Sequence, residues 1–252
     1  MAKRRKLEMQ IIHDDDEEES ASAVTNSTFS GGFSRSKRSQ RRVRTGNSRQ
    51  QGMLNSDLFS HCFENIWKSF SDNRRASFAY LDCLWFSLYM DESYKEKVLV
   101  WIRRKHIFSK KYVFVPIVHW SHWNLLIFCN FGELLQSETR TTCMLLLDSL
   151  RMAGPRQLEP TIRKFVLDIY EAEKRPEKKE VISKIPLLVP KVPQQTNGEA
   201  CGSLVLYFMS LFMESAPENF SISGGYPYFM KEDWFAPEDF NCFCKRFQLC
   251  GL

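Results

Sequence analysis

The chain has 252 residues, of which 43% are hydrophobic, so it is long and apolar enough to form one sizeable domain with a buried core. The formal charge of +5 is uneven, because residues 1–50 hold 11 Lys/Arg against 7 Asp/Glu, a balance of +4, which leaves +1 for the rest. A near-neutral body argues against a domain built to bind nucleic acid.

The sequence shows neither a signal peptide nor a candidate membrane span. The basic start "MAKRRK" is not followed by the apolar stretch of a signal peptide, and no apolar run approaches the ~20 residues of a membrane span. Eight cysteines without a secretory signal predict free thiols in a reducing compartment. Cys242 and Cys244 lack the spacing of a zinc knuckle, so we expect no metal and no other cofactor. We therefore expect a soluble intracellular protein, monomeric and without membrane contact.

Residues 1–52 predict a disordered tail, and residues 53–252 a folded domain. The tail is polar and has almost no large apolar side chains, so it cannot bury enough surface to offset the entropy of ordering. Two basic clusters, Lys3–Lys6 and Arg35–Arg44, flank an acidic run. Such clusters are either a solvated surface or a nuclear import signal. We favour import and expect the protein in the nucleus, with the cytoplasm as a further location.

The first half of the body predicts two helices and three strands. Helical spacing, with Ser56 as the predicted N-cap, relates Phe59, Phe63, Ile66, Trp67 and Phe70. A second amphipathic helix is predicted from Leu81, Leu84, Trp85, Leu88 and Tyr89. Short, dense apolar runs typical of buried strands occupy residues 112–118, 123–130 and 143–149.

The second half predicts two more helices around a proline-rich strand. One helix is indicated by Ile162, Phe165, Val166, Ile169 and Tyr170. A charged loop follows, and then "PLLVPKVP", whose prolines restrict it to the edge of a sheet. The last helix begins near Cys201, with an apolar face that includes Leu204, Tyr207, Phe208, Leu211 and Phe212. The body is thus predicted to be a mixed α and β domain.

Cys201 stands where a nucleophile would be activated. In the first turn of a helix, free backbone N–H groups and the helix dipole favour a thiolate over a thiol. The amides Gln194, Gln195 and Asn197 precede it, and an amide donor can stabilise the oxyanion formed when a carbonyl is attacked. A buried structural cysteine at a helix start is the alternative interpretation.

A base and an orienting group can be placed beside that cysteine. His122 begins one predicted strand and Asp148 ends the next, so antiparallel pairing would bring them to one edge of the sheet. A carboxylate after five apolar residues also needs a partner if it is half-buried. Asp148 as a plain turn residue, and His119 in place of His122, remain alternatives.

Three segments in this order, "HWNL", "LLLDSL" and "PQQTNGEACG", resemble the signature of the ubiquitin-like-protein-specific (Ulp/SENP) cysteine proteases. The resemblance implies an α+β, papain-like fold of the Ulp/SENP type, with a central mixed sheet flanked by helices. It implies Cys201 as nucleophile, His122 as general base and acid, Asp148 as its orienting group and Gln195 as oxyanion donor. Gln194 is out of register with the motif, and only His122 is followed by an apolar strand, which sets His119 aside as a loop or packing residue.

The same resemblance implies a tunnel for the Gly-Gly end of the modifier. Trp123 matches the tryptophan that covers this tunnel, and "YLDC" resembles the segment that would place Tyr80 on the opposite wall. A plain core role for Tyr80 is equally compatible with the sequence. Two departures, Ala200 where the family usually has aspartate and the altered "YLDC", leave room for a changed substrate or weaker catalysis.

The implied function is removal of a ubiquitin-like modifier by attack of Cys201 on its C-terminal glycyl carbonyl. The arrangement of the motifs is most similar to the SUMO-directed branch, so we expect SUMO, or another ubiquitin-like protein, and its conjugates as partners. The alternatives are a protease for a NEDD8-type modifier and a non-catalytic module that binds a ubiquitin-like protein. Nucleic-acid binding through the tail is a weaker alternative.

Overall fold

The computed structural model describes residues 54–133, 141–150, 154–217 and 229–249. The predicted tail, residues 1–52, lies outside these ranges, so both its disorder and the proposed boundary stay predictions. All the described residues belong to one structural unit. Among them, no helix has the length and apolar character needed to cross a membrane.

The domain is built on a five-stranded mixed sheet. Its strands, in spatial as well as chain order, are β1 (Phe78–Tyr80), β2 (Tyr112–His119), β3 (His122–Cys129), β4 (Cys143–Leu147) and β5 (Leu187–Leu188). The inner pairs β2–β3 and β3–β4 are antiparallel, whereas β1 and β5 join the edges in parallel. The three predicted strands are confirmed, and the proline-rich segment forms the short edge strand β5.

Helices cover both faces of this sheet. Within the described ranges they are α1 (Ser56–Ser69), α2 (Asp72–Ala76), α3 (Trp85–Tyr89), α4 (Lys95–Arg104), α5 (Glu159–Ala172), α6 (Lys179–Ile182), α7 (Cys201–Ser215) and α8 (Pro237–Arg246). Successive strand residues face opposite sides, so β3 sends Leu125 and Ile127 into the cluster formed with α1, α7 and α8. On the other face Phe128 of β3 approaches Phe165 of α5, with ring centroids 6.5 Å apart. A central strand covered on both faces needs a continuous apolar run, as its sequence shows.

Two sequence predictions near the start of the domain were wrong in detail. Asn55, not Ser56, is the N-cap of α1, because its side chain accepts a hydrogen bond from the backbone N–H of Leu58 at 2.9 Å. The second predicted helix starts at Trp85 rather than Leu81. Leu81 instead remains bonded to the sheet, donating its N–H to the Phe114 carbonyl at 2.8 Å.

Candidate active site

His122 and Asp148 meet at one edge of the sheet. Leu125 of β3 pairs with Leu147 of β4, so Asp148, which follows β4, lies on the same face of the sheet as His122 and near the same end of it. The His122 Nε2 and Asp148 Oδ1 atoms are 2.6 Å apart, and only 3% of Asp148 is exposed. The same Oδ1 also accepts the backbone N–H of Leu150 at 2.8 Å. The buried carboxylate therefore has the partner that the sequence required.

Cys201 completes the cluster as the first residue of α7. Its thiol is hydrogen-bonded to His122 and to the backbone N–H groups of Trp123 and Gly202. Because Asp148 holds the Nε2 atom of His122, the imidazole presents its Nδ1 atom to the sulfur. Helix α7 thus delivers the thiol to the imidazole, and β4 delivers the carboxylate to the far side of the ring.

The electrostatics of this cluster favour a thiolate paired with an imidazolium. Burial alone would raise the pKa of Cys201, but the hydrogen bond from His122, the two backbone N–H groups and the charge of the imidazolium lower it. For His122, burial acts in the opposite sense and lowers the pKa. The hydrogen bonds to Asp148 and Cys201 and the negative charges of these groups nevertheless raise it to about 9. The two shifts are opposite in sign and consistent with each other, since each group stabilises the charged form of the other.

Gln195 lies beside this pair, held in a fixed orientation. Its backbone N–H donates to the Ser149 carbonyl at 2.9 Å, and its side-chain Oε1 accepts the Ser149 hydroxyl at 2.8 Å. The Nε2 atom, at the other end of the amide, donates one hydrogen bond to the Asn197 carbonyl at 2.7 Å. Gln194 instead turns its amide to the backbone, donating to the carbonyls of Asp148 and Val192.

The start of α7 is stabilised without the aspartate that the Ulp/SENP signature usually has at the position of Ala200. Ala200 makes no side-chain capping bond. The Asn197 side chain accepts the backbone N–H groups of Glu199 at 3.1 Å and Ala200 at 2.9 Å. Asn197 therefore satisfies these two donors. The N–H of Gly202 remains directed at the sulfur.

Trp123, predicted to cover the substrate tunnel, is buried, with 1% of its surface exposed. Its indole Nε1–H donates to the Leu54 carbonyl at 3.2 Å, and its ring stacks on Phe59 at a centroid distance of 4.2 Å. A Cβ atom on Gly202 would lie 2.9 Å from the Leu54 side chain, so Leu54 packs directly against the residue after Cys201. The segment that leads into α1 thus covers both the indole and the start of α7.

Tyr80, predicted as the opposite tunnel wall, belongs to a different aromatic group. Its ring lies 4.7 Å from Phe63 and 5.0 Å from Trp67, both on α1, with Lys105 over its face. Among the ring contacts of the described residues, none joins Tyr80 to Trp123. The structure does not bring the two predicted walls together.

A cavity of about 440 Å³ opens beside the His122–Asp148 pair. Its lining includes the β2–β3 turn, Asn124, and the segment Gln195–Gly198 that precedes the nucleophile. His119 faces His122 across the hairpin, but its ring contacts Trp120, with centroids 4.3 Å apart, and does not hydrogen-bond Asp148. No group of three or more metal-ligating side chains occurs within the described ranges.

This chain is similar in sequence to several known proteins. The model of the Ulp1 protease family, C-terminal catalytic domain, matches residues 33–236. A probable ubiquitin-like-specific protease 2A of Arabidopsis thaliana is 24% identical over 206 residues, covering 74% of this chain and 26% of the relative. Human sentrin-specific protease 7 is 23% identical over 189 residues, covering 54% of this chain and 18% of the relative. The chain thus spans only a small part of these longer relatives.

Solved structures show the same fold. A structure described as that of the de-sumoylating protease superposes with a TM-score of 0.56 at 22% identity, covering 78% of this chain and 74% of that one. The Xanthomonas campestris effector XopD bound to ubiquitin superposes with a TM-score of 0.52 at 14% identity, covering 79% and 91%. The predicted α+β fold of the Ulp/SENP type is confirmed. On the match over residues 33–236, this chain belongs to the Ulp1 protease family.

Proposed function

We propose that this chain is a cysteine isopeptidase that removes a ubiquitin-like modifier, with SUMO as the modifier. The observation that carries the proposal is the hydrogen-bonded series Cys201–His122–Asp148, in which the pKa of the thiol is lowered and that of the imidazole is raised to about 9. A purely structural cysteine at a helix start needs neither an imidazole nor a buried carboxylate behind it. The same argument disfavours a non-catalytic module that binds a ubiquitin-like protein, since binding alone does not require these three groups.

In the proposed reaction the Cys201 thiolate attacks the carbonyl carbon of the modifier's terminal glycine. The Nε2–H of Gln195 and the backbone N–H of Cys201 stabilise the negative charge that develops on the oxygen. His122 then gives its Nδ1 proton to the departing lysine amine, the C–N bond breaks and a thioester remains. A water molecule, deprotonated by His122, attacks the thioester and releases the modifier with a free carboxylate.

Asp148 keeps the imidazole of His122 in position throughout the reaction. Its carboxylate holds Nε2 at 2.6 Å, so the ring cannot turn its proton-bearing Nδ1 atom away from the sulfur. Gln194, by donating to the Asp148 carbonyl at 3.1 Å, fixes the backbone from which this carboxylate projects. Gln194 therefore acts on the site through Asp148 and makes no contact with the substrate.

The modifier's Gly-Gly end is proposed to run along Trp123. Because Leu54 and Phe59 cover the indole, this path requires both Leu54, before α1, and the Phe59 ring, on α1, to move aside when the modifier binds. Tyr80 can form the second wall only if its packing against Phe63 and Trp67 also changes. Both movements would take place at the start of the folded domain.

The choice of SUMO is supported by the motif arrangement and by the names of the relatives. Sentrin-specific protease 7 and the de-sumoylating protease both point to this modifier. The similarity to XopD bound to ubiquitin keeps a protease for another ubiquitin-like modifier as the second candidate. We further propose that the protein acts as a monomer in the nucleus.

We expect Cys201→Ala to abolish cleavage of SUMO conjugates while binding of SUMO persists, because the substitution removes only the nucleophile. The measurement uses SUMO, a NEDD8-type modifier and ubiquitin, each with a C-terminal electrophile, and intact-mass detection of the adduct. Cys62→Ala, a buried cysteine of α1, is the control and should label like the wild type. If the Cys201→Ala variant were labelled at the wild-type rate, Cys201 would not be the nucleophile. If the wild type reacted preferentially with another modifier, that modifier would take the place of SUMO in the proposed function.

The pH dependence should report the raised pKa of His122. We expect kcat/KM to fall as pH rises through about 9, where the imidazolium loses the proton needed by the leaving amine. Asp148→Asn removes the negative charge that raises this pKa, so the alkaline limb should move to lower pH and the maximal rate should fall. Asp57→Asn, an exposed change on α1, should leave the profile unchanged. An alkaline limb that stays in place in Asp148→Asn would contradict the role assigned to the carboxylate.

The two neighbouring glutamines should respond differently. We expect Gln195→Ala to lower kcat by about 10²–10³-fold, as loss of an oxyanion donor does, and also to lower the urea midpoint of unfolding, because the buried Ser149 hydroxyl loses its acceptor. We expect Gln194→Ala to lower the urea midpoint of unfolding, because the Asp148 carbonyl loses a donor. Kinetics and urea denaturation of both variants separate the two effects. A large loss of kcat in Gln194→Ala, together with a nearly normal kcat in Gln195→Ala, would exchange the roles assigned to the two glutamines.

A further inference from the structure

The cavity beside the candidate active site lies on the side of β3 away from Trp123. His122 and Asn124 alternate with Trp123 along the strand, so they face the opposite side of the sheet. The lining includes both His122 and Asp148, whereas Trp123 and Cys201 do not belong to it. A substrate that places its modifier along Trp123 therefore has this cavity on the other side of the scissile bond.

Asn124 gives the cavity an unused hydrogen-bond acceptor. The residue is only 3% exposed, and it lines the cavity one step along the strand from His122. Its buried side-chain Oδ1 atom has no hydrogen-bond donor among the described residues. A buried amide oxygen without a donor is unfavourable, and groups of this kind are uncommon in folded proteins. An N–H from a molecule bound in the cavity would supply the missing donor.

Trp120 forms an exposed aromatic rim on the same cavity. Its side chain is 76% exposed, at the tip of the β2–β3 hairpin, and its ring contacts that of His119 at a centroid distance of 4.3 Å. Trp120 and Ser121 have φ angles of 48° and 58°, a left-handed conformation that two-residue hairpin turns usually assign to Asn and Gly. A tryptophan held at this position, although it is poorly suited to the turn, indicates a contact surface.

We propose that this cavity is the subsite for the leaving group, the acceptor lysine and the residues that flank it in the conjugated protein. The inference rests on the proposed isopeptidase activity. The departing amine takes its proton from His122, so the lysine must leave along a surface that contains His122, as this cavity does. Asn124 accepts an N–H of the lysine-bearing segment, and Trp120 packs against that segment at the rim.

The test compares two reactions that share the modifier and differ in the leaving group. The first is cleavage of SUMO joined by an isopeptide bond to a lysine peptide. The second is labelling of Cys201 by SUMO with a C-terminal propargylamide, which reacts without releasing a lysine segment. The variants are Trp120→Ala, Asn124→Leu, which is similar in size and removes the acceptor, and, as a control outside the cavity, Met90→Ala, a 43% exposed apolar side chain.

We expect Trp120→Ala and Asn124→Leu each to lower kcat/KM for the peptide conjugate by about tenfold, a loss typical of one packing or hydrogen-bonding contact. Their labelling rates should stay within about twofold of the wild type, as should both reactions of Met90→Ala. Trp120→Ala, a change at an exposed tip, keeps the test valid if Asn124→Leu unfolds. Unchanged cleavage in the folded variants, or equal losses in cleavage and labelling, would overturn the assignment. A wild-type protein that no modifier probe labels would instead contradict the proposed function and, with it, this inference.

Discussion

The candidate site depends on the contact between His122 Nε2 and Asp148 Oδ1 at the edge of the sheet. Burial by itself would lower the pKa of the imidazole and leave it neutral, and a neutral imidazole cannot lower the pKa of the neighbouring thiol. The carboxylate and the Cys201 sulfur together reverse this, because their charges and hydrogen bonds outweigh the cost of burial. The state of Cys201 is therefore set in part by a residue that lies on the opposite side of the histidine ring.

That contact in turn depends on the register of two strands. Side chains alternate along a strand, so a shift of one residue between β3 and β4 would turn either His122 or Asp148 to the wrong face. The buried apolar residues of both strands fix the register, since a shift would also expose them. Helix α7 then needs only to begin at the correct residue to bring its first side chain to the imidazole. The segment Gln194–Asn197 completes the arrangement by supporting Asp148, presenting Gln195 and capping α7.

The sequence predicted the parts of this arrangement that follow from strong patterns. Dense apolar runs identified β2, β3 and β4, so His122 and Asp148 could be placed at one edge of the sheet. A helical pattern located α7, and the resemblance to the Ulp/SENP family implied that Cys201 at its start belongs to the same site. The start of α1 was misassigned because Asn55 and Ser56 are both good caps, and only geometry decides between them. The short strand β1 was missed because its three residues are too few to show a periodicity.

The remaining features arise from tertiary contacts that carry no sequence pattern. Tyr80 sits in the aromatic group of α1, and Trp123 lies beneath Leu54, because an amphipathic helix packs over this part of the sheet. Neither position could be inferred from "YLDC" or "HWNL". The turn at Trp120 lacks the Asn-Gly signal of its conformation, so nothing in the sequence marked the rim of the cavity. Ser149 could have been suspected from its place after Asp148, but its bond to Gln195 joins two segments far apart in the chain.

The most direct test of the account is the pKa of the Cys201 thiol, measured as the pH dependence of its alkylation by iodoacetamide in the wild type and in His122→Ala. The account predicts a wild-type midpoint below the ordinary value of about 8.5 for a free cysteine, and a higher midpoint in the variant, in which only the two backbone N–H groups oppose the effect of burial. A wild-type midpoint at or above the ordinary value, unchanged when His122 is removed, would show that the sulfur and the imidazole do not form a catalytic pair.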